Sequence, residues 1–212
     1  MNHKRTIAWW EKQAPTYFTD KIFSFSNPIA ISKLNIQPEW CILEIGFGYG
    51  RELSQYCGIS HHVHGVELFE CTCELARKSL LGQGITELPS LVTYDGKTLP
   101  YNDDSFDVIH SCFVIQHMSR KAAKELIREA LRVVTHGGQV LMEFFGDPEY
   151  RHQTEDRFSG DPEIDGMYNN AYTKDDIISL VSNLGRVLWI DPQRVFPGST
   201  AFDNHWLCIT KD

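Results

Sequence analysis

From Trp40 onward, short apolar runs alternate with stretches in which apolar residues recur at three- and four-residue steps. This is the pattern of a largely parallel sheet covered by helices on both faces. Residues 41–45 form the first strand, closed by glycines, and a helix is expected to about Cys57. Residues 63–67 read as a second strand, 71–81 as a helix, 91–94 as a third strand and 106–112 as a fourth. Between residues 120 and 134, Ala123, Leu126, Ile127, Ala130, Leu131 and Val134 share one helical face. Gly137 and Gly138 are expected to end that helix, with 139–145 as a fifth strand. Thr173, three residues before Asp176, should cap a further helix that Gly185 stops. Residues 187–190 and 205–209 are β-rich runs separated by Pro197 and Gly198, an antiparallel pair at the end of the chain. The expected fold is a single three-layer α/β domain, Rossmann-like, with a seven-stranded sheet that is mostly parallel and has an antiparallel last strand.

Composition narrows the function classes. The 212 residues, 42% hydrophobic and 23% charged, suit one self-folding globular domain. The net charge of -8, with no basic stripe, repels a nucleic-acid backbone, so nucleic acid is not an expected partner. No apolar run is long enough to span a bilayer, and a cytoplasmic, membrane-free protein is expected. The six cysteines sit mostly in apolar segments, as reduced core thiols do. Cys71 and Cys73 would diverge on a helix, and His61 would face away from His62 and His64 on a strand, so no metal site is expected.

The candidate chemistry begins at Glu44-Ile45-Gly46-Phe47-Gly48-Tyr49-Gly50, between the first strand and the first helix. Glycines there let backbone approach a ligand, and helix amides favour an anionic group. A dinucleotide fingerprint requires a small residue three places after its second glycine. Arg51 occupies that place, which argues against a nicotinamide-dependent oxidoreductase. Glu67 closes the second strand 21 residues after Gly46, where a carboxylate suits ribose hydroxyls.

The acidic-x-Gly-x-Gly-x-Gly segment resembles motif I of class I S-adenosylmethionine-dependent methyltransferases. The likeness continues through Asp95-Gly96, through the segment from Leu99-Pro100 to Asp107, and through Arg132-Val133-Val134-Thr135-His136-Gly137-Gly138, where His136 replaces the family's usual proline. It points to the small-molecule, type 11-like branch. Nucleic-acid amino-methylating enzymes carry two prolines and an aromatic after the fourth strand, whereas this chain has Cys112-Phe113-Val114-Ile115.

The resemblance implies S-adenosylmethionine as cofactor and S-adenosylhomocysteine as product, with Glu44, Gly46, Phe47, Gly48, Glu67 and Leu68 around the glycine loop. Asp95 would accept from the adenine amino group beside Gly96, and Cys112 and Phe113 would line the methionine end. His117, just past the fourth strand, and His205, on the last, are the candidate bases. The acceptor is expected to be an oxygen or nitrogen of a small molecule such as a natural product or sugar-like metabolite. Residues 1–39, with Trp9, Trp10, Tyr17 and Phe18, form an expected helical lid over the cofactor. Residues 146–172 form an expected substrate lid, longer than the usual ~4–6 residues of a connection, in which Tyr150, His152, Phe158, Met167, Tyr168 and Tyr172 would wall a pocket. Tyr17, Tyr150, Tyr168 and Tyr172 are the substrate-binding candidates. A non-catalytic module that binds the cofactor for regulation is the remaining alternative.

Overall fold

The computed structural model describes residues 7–8, 10–12, 31–146, 170–194 and 203–211. Within them the chain runs β1 (Cys41–Ile45), α1 (Arg51–Cys57), β2 (His62–Glu67), α2 (Glu70–Gly82), β3 (Ser90–Thr93) and β4 (Phe106–Ser111). After a 3-10 turn at Ile115–His117 come α3 (Arg120–Val133), β5 (Val134–Phe144), α4 (Lys174–Val181), β6 (Arg186–Arg194) and β7 (Asp203–Thr210). The seven strands make one sheet in the order β3-β2-β1-β4-β5-β7-β6. β1 to β5 pair in parallel, and β7 is antiparallel to both β5 and β6. The expected architecture is therefore the observed one. The strand order reverses between β1 and β4, and the crevice at the carboxyl ends of those strands is where open α/β sheets bind ligands.

Side chains alternate between the two sheet faces. Leu43, Ile45, Ile109, Met142, Leu207 and Ile209 enter the core shared with α3 and α4. Ile42, Val108, Leu141, Trp206 and Cys208 enter the core shared with α1, α2 and the Ile31–Leu34 turn. By the same alternation Glu44, His110, Glu143 and Asn204 lie on the α1 face, and all four are buried. Four polar residues inside one apolar layer are the feature that sets up the site.

Two boundaries differ from expectation. α3 ends at Val133, and Val134 is already extended and hydrogen-bonded to Ala130, so helix and strand join without a loop. The double glycine lies inside β5. Gly137 has φ +78°, and a Cβ on Gly138 would meet Asp107 O at 2.8 Å and Val134 Cγ2 at 2.7 Å. The ladder to β4 skips there, from Phe106 opposite Val134 to Val108 opposite Gln139, so the glycines build a bulge that allows tight strand contact rather than a helix stop. α4 likewise ends at Val181, ahead of Gly185, because Asn183 at φ +63° takes the left-handed turn. Gly185 instead packs against β7, where its Cβ would lie 2.6 Å from Thr210 O. The Thr173–Asp176 cap forms in both directions. β6 is an edge strand and runs through Pro192, which an edge tolerates.

Of the expected N-terminal lid, Ile7, Ala8 and Trp10–Lys12 are helical and Ile31 and Leu34 are core residues. Trp9, Tyr17 and Phe18 lie outside the described residues. So do Tyr150, His152, Phe158, Met167 and Tyr168 of the expected substrate lid. Tyr172 is described, and the expectation fails for it. It is fully buried in the α3–α4 core, with its ring edge-on to Phe144 at 5.1 Å and under the Arg120 guanidinium at 5.0 Å. Its amide donates to Phe145 O, continuing the end of β5, so it closes the core instead of walling a pocket.

Candidate active site

The loop after β1 turns left-handed at each glycine, with φ +73° at Gly46, +55° at Gly48 and +86° at Gly50. A Cβ on Gly46 would lie 2.3 Å from Val114 Cγ2, so the loops after β1 and β4 touch only because that position is glycine. Phe47 packs over β2, where Gly65 leaves room: a Cβ there would meet its ring at 2.5 Å. The loop's amides are turned inward. Gly46 N donates to Val66 O, Gly50 N to Phe47 O, and Gly48 N to Glu67 Oε1 at 2.9 Å. These amides are spoken for, and the expected cradle for an anionic group is not what these glycines make.

Glu67 holds the loop from β2: Oε1 takes Gly48 and Oε2 takes the Leu68 amide at 2.9 Å. The residue keeps some surface, but its carboxylate is enclosed, and burial pushes its pKa up. Each oxygen retains a lone pair, which suits the expected contact with ribose hydroxyls. Tyr94 N donates to Glu67 O and brings the end of β3 alongside. There Asp95 is exposed, and its Oδ1 accepts from Lys97 N at 2.9 Å and Thr98 N at 2.8 Å. Those amides hold its pKa below the usual carboxylate range, so at neutral pH it is a pure acceptor, the role expected toward an adenine amino group. Gly96, at φ +75°, turns the chain away after it.

A buried polar cluster lies beneath the glycine loop on the α1 face. Glu44 is 1% exposed, and its Oε2 meets no protein partner. Burial, then the charge of Glu52, pushes its pKa well above the carboxylate norm, and the Leu53 amide opposes this. Glu52 and Glu143 are also raised by burial. Arg51 is the cation that all three feel. Its Nε donates to Glu52 Oε1 at 2.5 Å, Nη2 reaches Cys112 Sγ at 3.6 Å, and the guanidinium stands 5.4 Å from the Phe113 ring centre. The arginine does not force α1 off the sheet, because it turns sideways toward the end of β4. His110, fully buried, stacks on Trp206 at 5.5 Å and meets Tyr56 edge-on. Desolvation, then the charge of Arg51, drops its pKa to about 3. It is therefore neutral, and its Nδ1, 3.9 Å from Glu44 Oε1, makes no ion pair with it.

The structure thus gathers Glu44, Gly46, Phe47, Gly48, Glu67, Leu68, Cys112 and Phe113 at the carboxyl ends of β1, β2 and β4, with Asp95 and Gly96 beside them after β3. His117, half-buried in the 3-10 turn, contacts Trp10 edge-on at 5.2 Å, so the N-terminal helix reaches the loop after β4. His205 sits at the same edge of the sheet, opposite Phe144 on β5, but on the face away from Glu143 and Trp206. Among the described residues, no group of three histidines, cysteines or carboxylates is placed to hold a metal. The sequence reasoning missed Glu52, His110, Glu143 and Asn204 as site residues. A polar residue at a core-facing position of an otherwise apolar strand was the available signal.

Residues 43–142 match the model of a methyltransferase-domain family, from within β1 to within β5. That match takes in 100 of the 212 residues and includes the glycine loop, Glu67 and Asp95. The chain is 31% identical over 110 residues to the ubiquinone/menaquinone biosynthesis C-methyltransferase of Pseudomonas paraeruginosa, covering 50% of this chain and 42% of that protein. The chain therefore spans less than half the length of that relative. In fold it is similar to an S-adenosylmethionine-dependent methyltransferase from Methanosarcina mazei (TM-score 0.71, 18% identity, 88% of this chain and 98% of the other). A second such methyltransferase, from Clostridium acetobutylicum, gives a TM-score of 0.69 at 14% identity, covering 96% of this chain and 98% of the other.

Proposed function

We propose that the domain binds S-adenosylmethionine and transfers its methyl group to a small molecule. The observation that carries the reading is the shortage of cations in the cluster under the glycine loop: burial raises Glu44, Glu52 and Glu143 with only Arg51 to oppose it, so a cationic ligand would draw these carboxyls into their ionised form, and the amides of Gly46, Gly48 and Gly50 are committed inward. Such a site favours a cofactor bearing sulfonium and ammonium groups and opposes the pyrophosphate of a nicotinamide dinucleotide. Glu67 and Asp95 fit its ribose and adenine as acceptors, and Cys112 and Phe113 stand where its methionine end would lie. The cofactor supplies an activated methyl group for in-line displacement, and the chain's part is to align the acceptor and exclude water.

An oxygen or nitrogen of a natural product or sugar-like metabolite is the acceptor we favour, with His117 or His205 taking its proton where it is a hydroxyl. The C-methyltransferase relatives support a second reading, in which the acceptor atom is carbon. The net charge of -8 speaks against nucleic acid as acceptor. No helix among the described residues is long and apolar enough to cross a membrane, and we place the enzyme in the cytoplasm.

Calorimetric titration with S-adenosylhomocysteine, with NAD in parallel, tests the cofactor. One-site binding of the former alone is expected, weakened about tenfold in Asp95→Ala by loss of a charged acceptor. Binding of NAD instead overturns the reading. Binding followed by no methyl transfer to any class of acceptor would leave the regulatory module.

A further inference from the structure

Glu143 stands one residue before the end of β5 and is 1% exposed. Three donors from two other elements converge on it. Its Oε2 accepts from Phe113 N at 3.0 Å and from Cys112 Sγ at 3.1 Å, and its Oε1 accepts from Asn204 Nδ2 at 2.6 Å. The orientation of the Asn204 amide is fixed from its other end, where Oδ1 accepts from Gly146 N at 3.3 Å. Phe113 is held at φ +57°, a left-handed backbone that a residue with a Cβ seldom takes. A carboxylate is a costly way to fill a core position, and here its cost is offset by donors from both flanks of β5, the loop after β4 and strand β7.

We infer that Glu143 is a positioning residue for the cofactor pocket: its carboxylate locks Cys112 and Phe113, which line the methionine end, to the ends of β5 and β7. The inference rests on the methyltransferase reading. It gives Phe113 a reason for its unusual backbone, since the amide must point down toward β5 to reach Oε2. It also ties the loop after β4 to β7 next to His205, so the cofactor side and the acceptor side of the site share one joint. Arg51 completes the arrangement from α1, against Cys112 Sγ and the Phe113 ring.

The test exploits hydrogen-bond polarity. In Glu143→Gln the side-chain volume is kept, but a donor group now faces either the Asn204 amide or the Phe113 N–H. Combining Glu143→Gln with Asn204→Asp restores a donor–acceptor pair across β5 and β7, and both aspartate oxygens remain free to accept from Gly146 and the glutamine. Titration of wild type and both variants with S-adenosylhomocysteine, with a thermal melt of each, is the experiment. Affinity is expected to fall about tenfold or more in the single variant and to recover most of that loss in the double. Equal affinity in wild type and Glu143→Gln, or a double variant no better than the single, overturns the inference while leaving the cofactor assignment intact. Failure of wild type to bind overturns the assignment itself and the inference with it. If Glu143→Gln alone does not fold, Asn204→Asp alone decides. Two facing carboxylates must share a proton, so its affinity should fall more steeply than that of wild type as pH rises from about 5 to about 8, and a parallel profile overturns the inference.

Discussion

Gly46 and Gly84 both have left-handed backbones, at φ +73° and +84°, but they differ in what surrounds them: a Cβ at 46 strikes Val114 Cγ2, whereas one at 84 meets nothing within 4 Å. Each alanine substitution therefore carries a backbone cost of about 1–2 kcal/mol, and only Gly46→Ala also pushes apart the loops after β1 and β4. Gly46→Ala is expected to abolish binding of S-adenosylhomocysteine, and Gly84→Ala to lower the melting temperature with affinity unchanged. Equal affinities in the two variants would break the link between glycine spacing and the pocket. This position was legible in the sequence because glycine and acidic spacing are local signals, and the same holds for Glu67 and Asp95. Glu143 and Asn204 were not. Their meeting depends on β5 pairing with β7 across about sixty residues of chain, and nothing in either segment announces its partner. Tyr172 misled for the opposite reason: an aromatic beside a polar stretch looks like a pocket wall until the start of α3, at Arg120, and Phe144 are known to lie against it.

Among the elements, two segments that stood apart in the sequence turn out to hold each other. Arg132, near the end of α3, donates to Leu99 O at 3.0 Å and Tyr101 O at 2.9 Å, while Glu129 accepts from Leu99 N at 3.0 Å. The Leu-Pro segment before β4 is thereby bound to the turn that feeds β5, and Arg132 also pairs with Glu129 and Asp103. The arginine fork reaches two carbonyls and two carboxylates at once, a geometry that an ammonium cannot reproduce. Arg132→Lys should cost about 1–3 kcal/mol in urea unfolding through the carbonyls left without a donor, while Arg128→Lys, whose pair with Glu125 is exposed, should cost under about 0.5 kcal/mol. A loss of similar size at both positions would show that the segment is held by something else. Element type was legible throughout this region, but the junction was not. Gly137 and Gly138 are breakers in either reading, and only the register of β5 on β4 reveals that they accommodate a close strand contact.

Across the whole molecule, the α1 face of the sheet carries ionisable groups whose burial acts in opposite directions with pH. Burial raises Glu44, Glu52 and Glu143, so the folded chain keeps protons that the unfolded chain releases above the usual carboxylate range, and stability falls as pH rises from there. His110 behaves in reverse. Its pKa is about 3 in the fold against an ordinary 6.5, so below 6.5 the unfolded chain takes up a proton that the folded chain refuses, and stability is lost progressively as pH falls toward 3. By pH 5 that loss amounts to roughly 2 kcal/mol. Neither ring nitrogen of His110 meets a protein partner, and the ring lies between Trp206 and Tyr56, so a phenyl ring fits the same slot without the linkage. His110→Phe is expected to be as stable as wild type at pH 7.5 and roughly 2 kcal/mol more stable at pH 5, measured by urea unfolding at the two values. Parallel pH dependence in the two proteins would mean that His110 is protonated inside the fold. In that case its partner would be Glu44, 3.9 Å away, and the cluster beneath the glycine loop would hold its own compensating cation, removing the charge argument for a cationic cofactor.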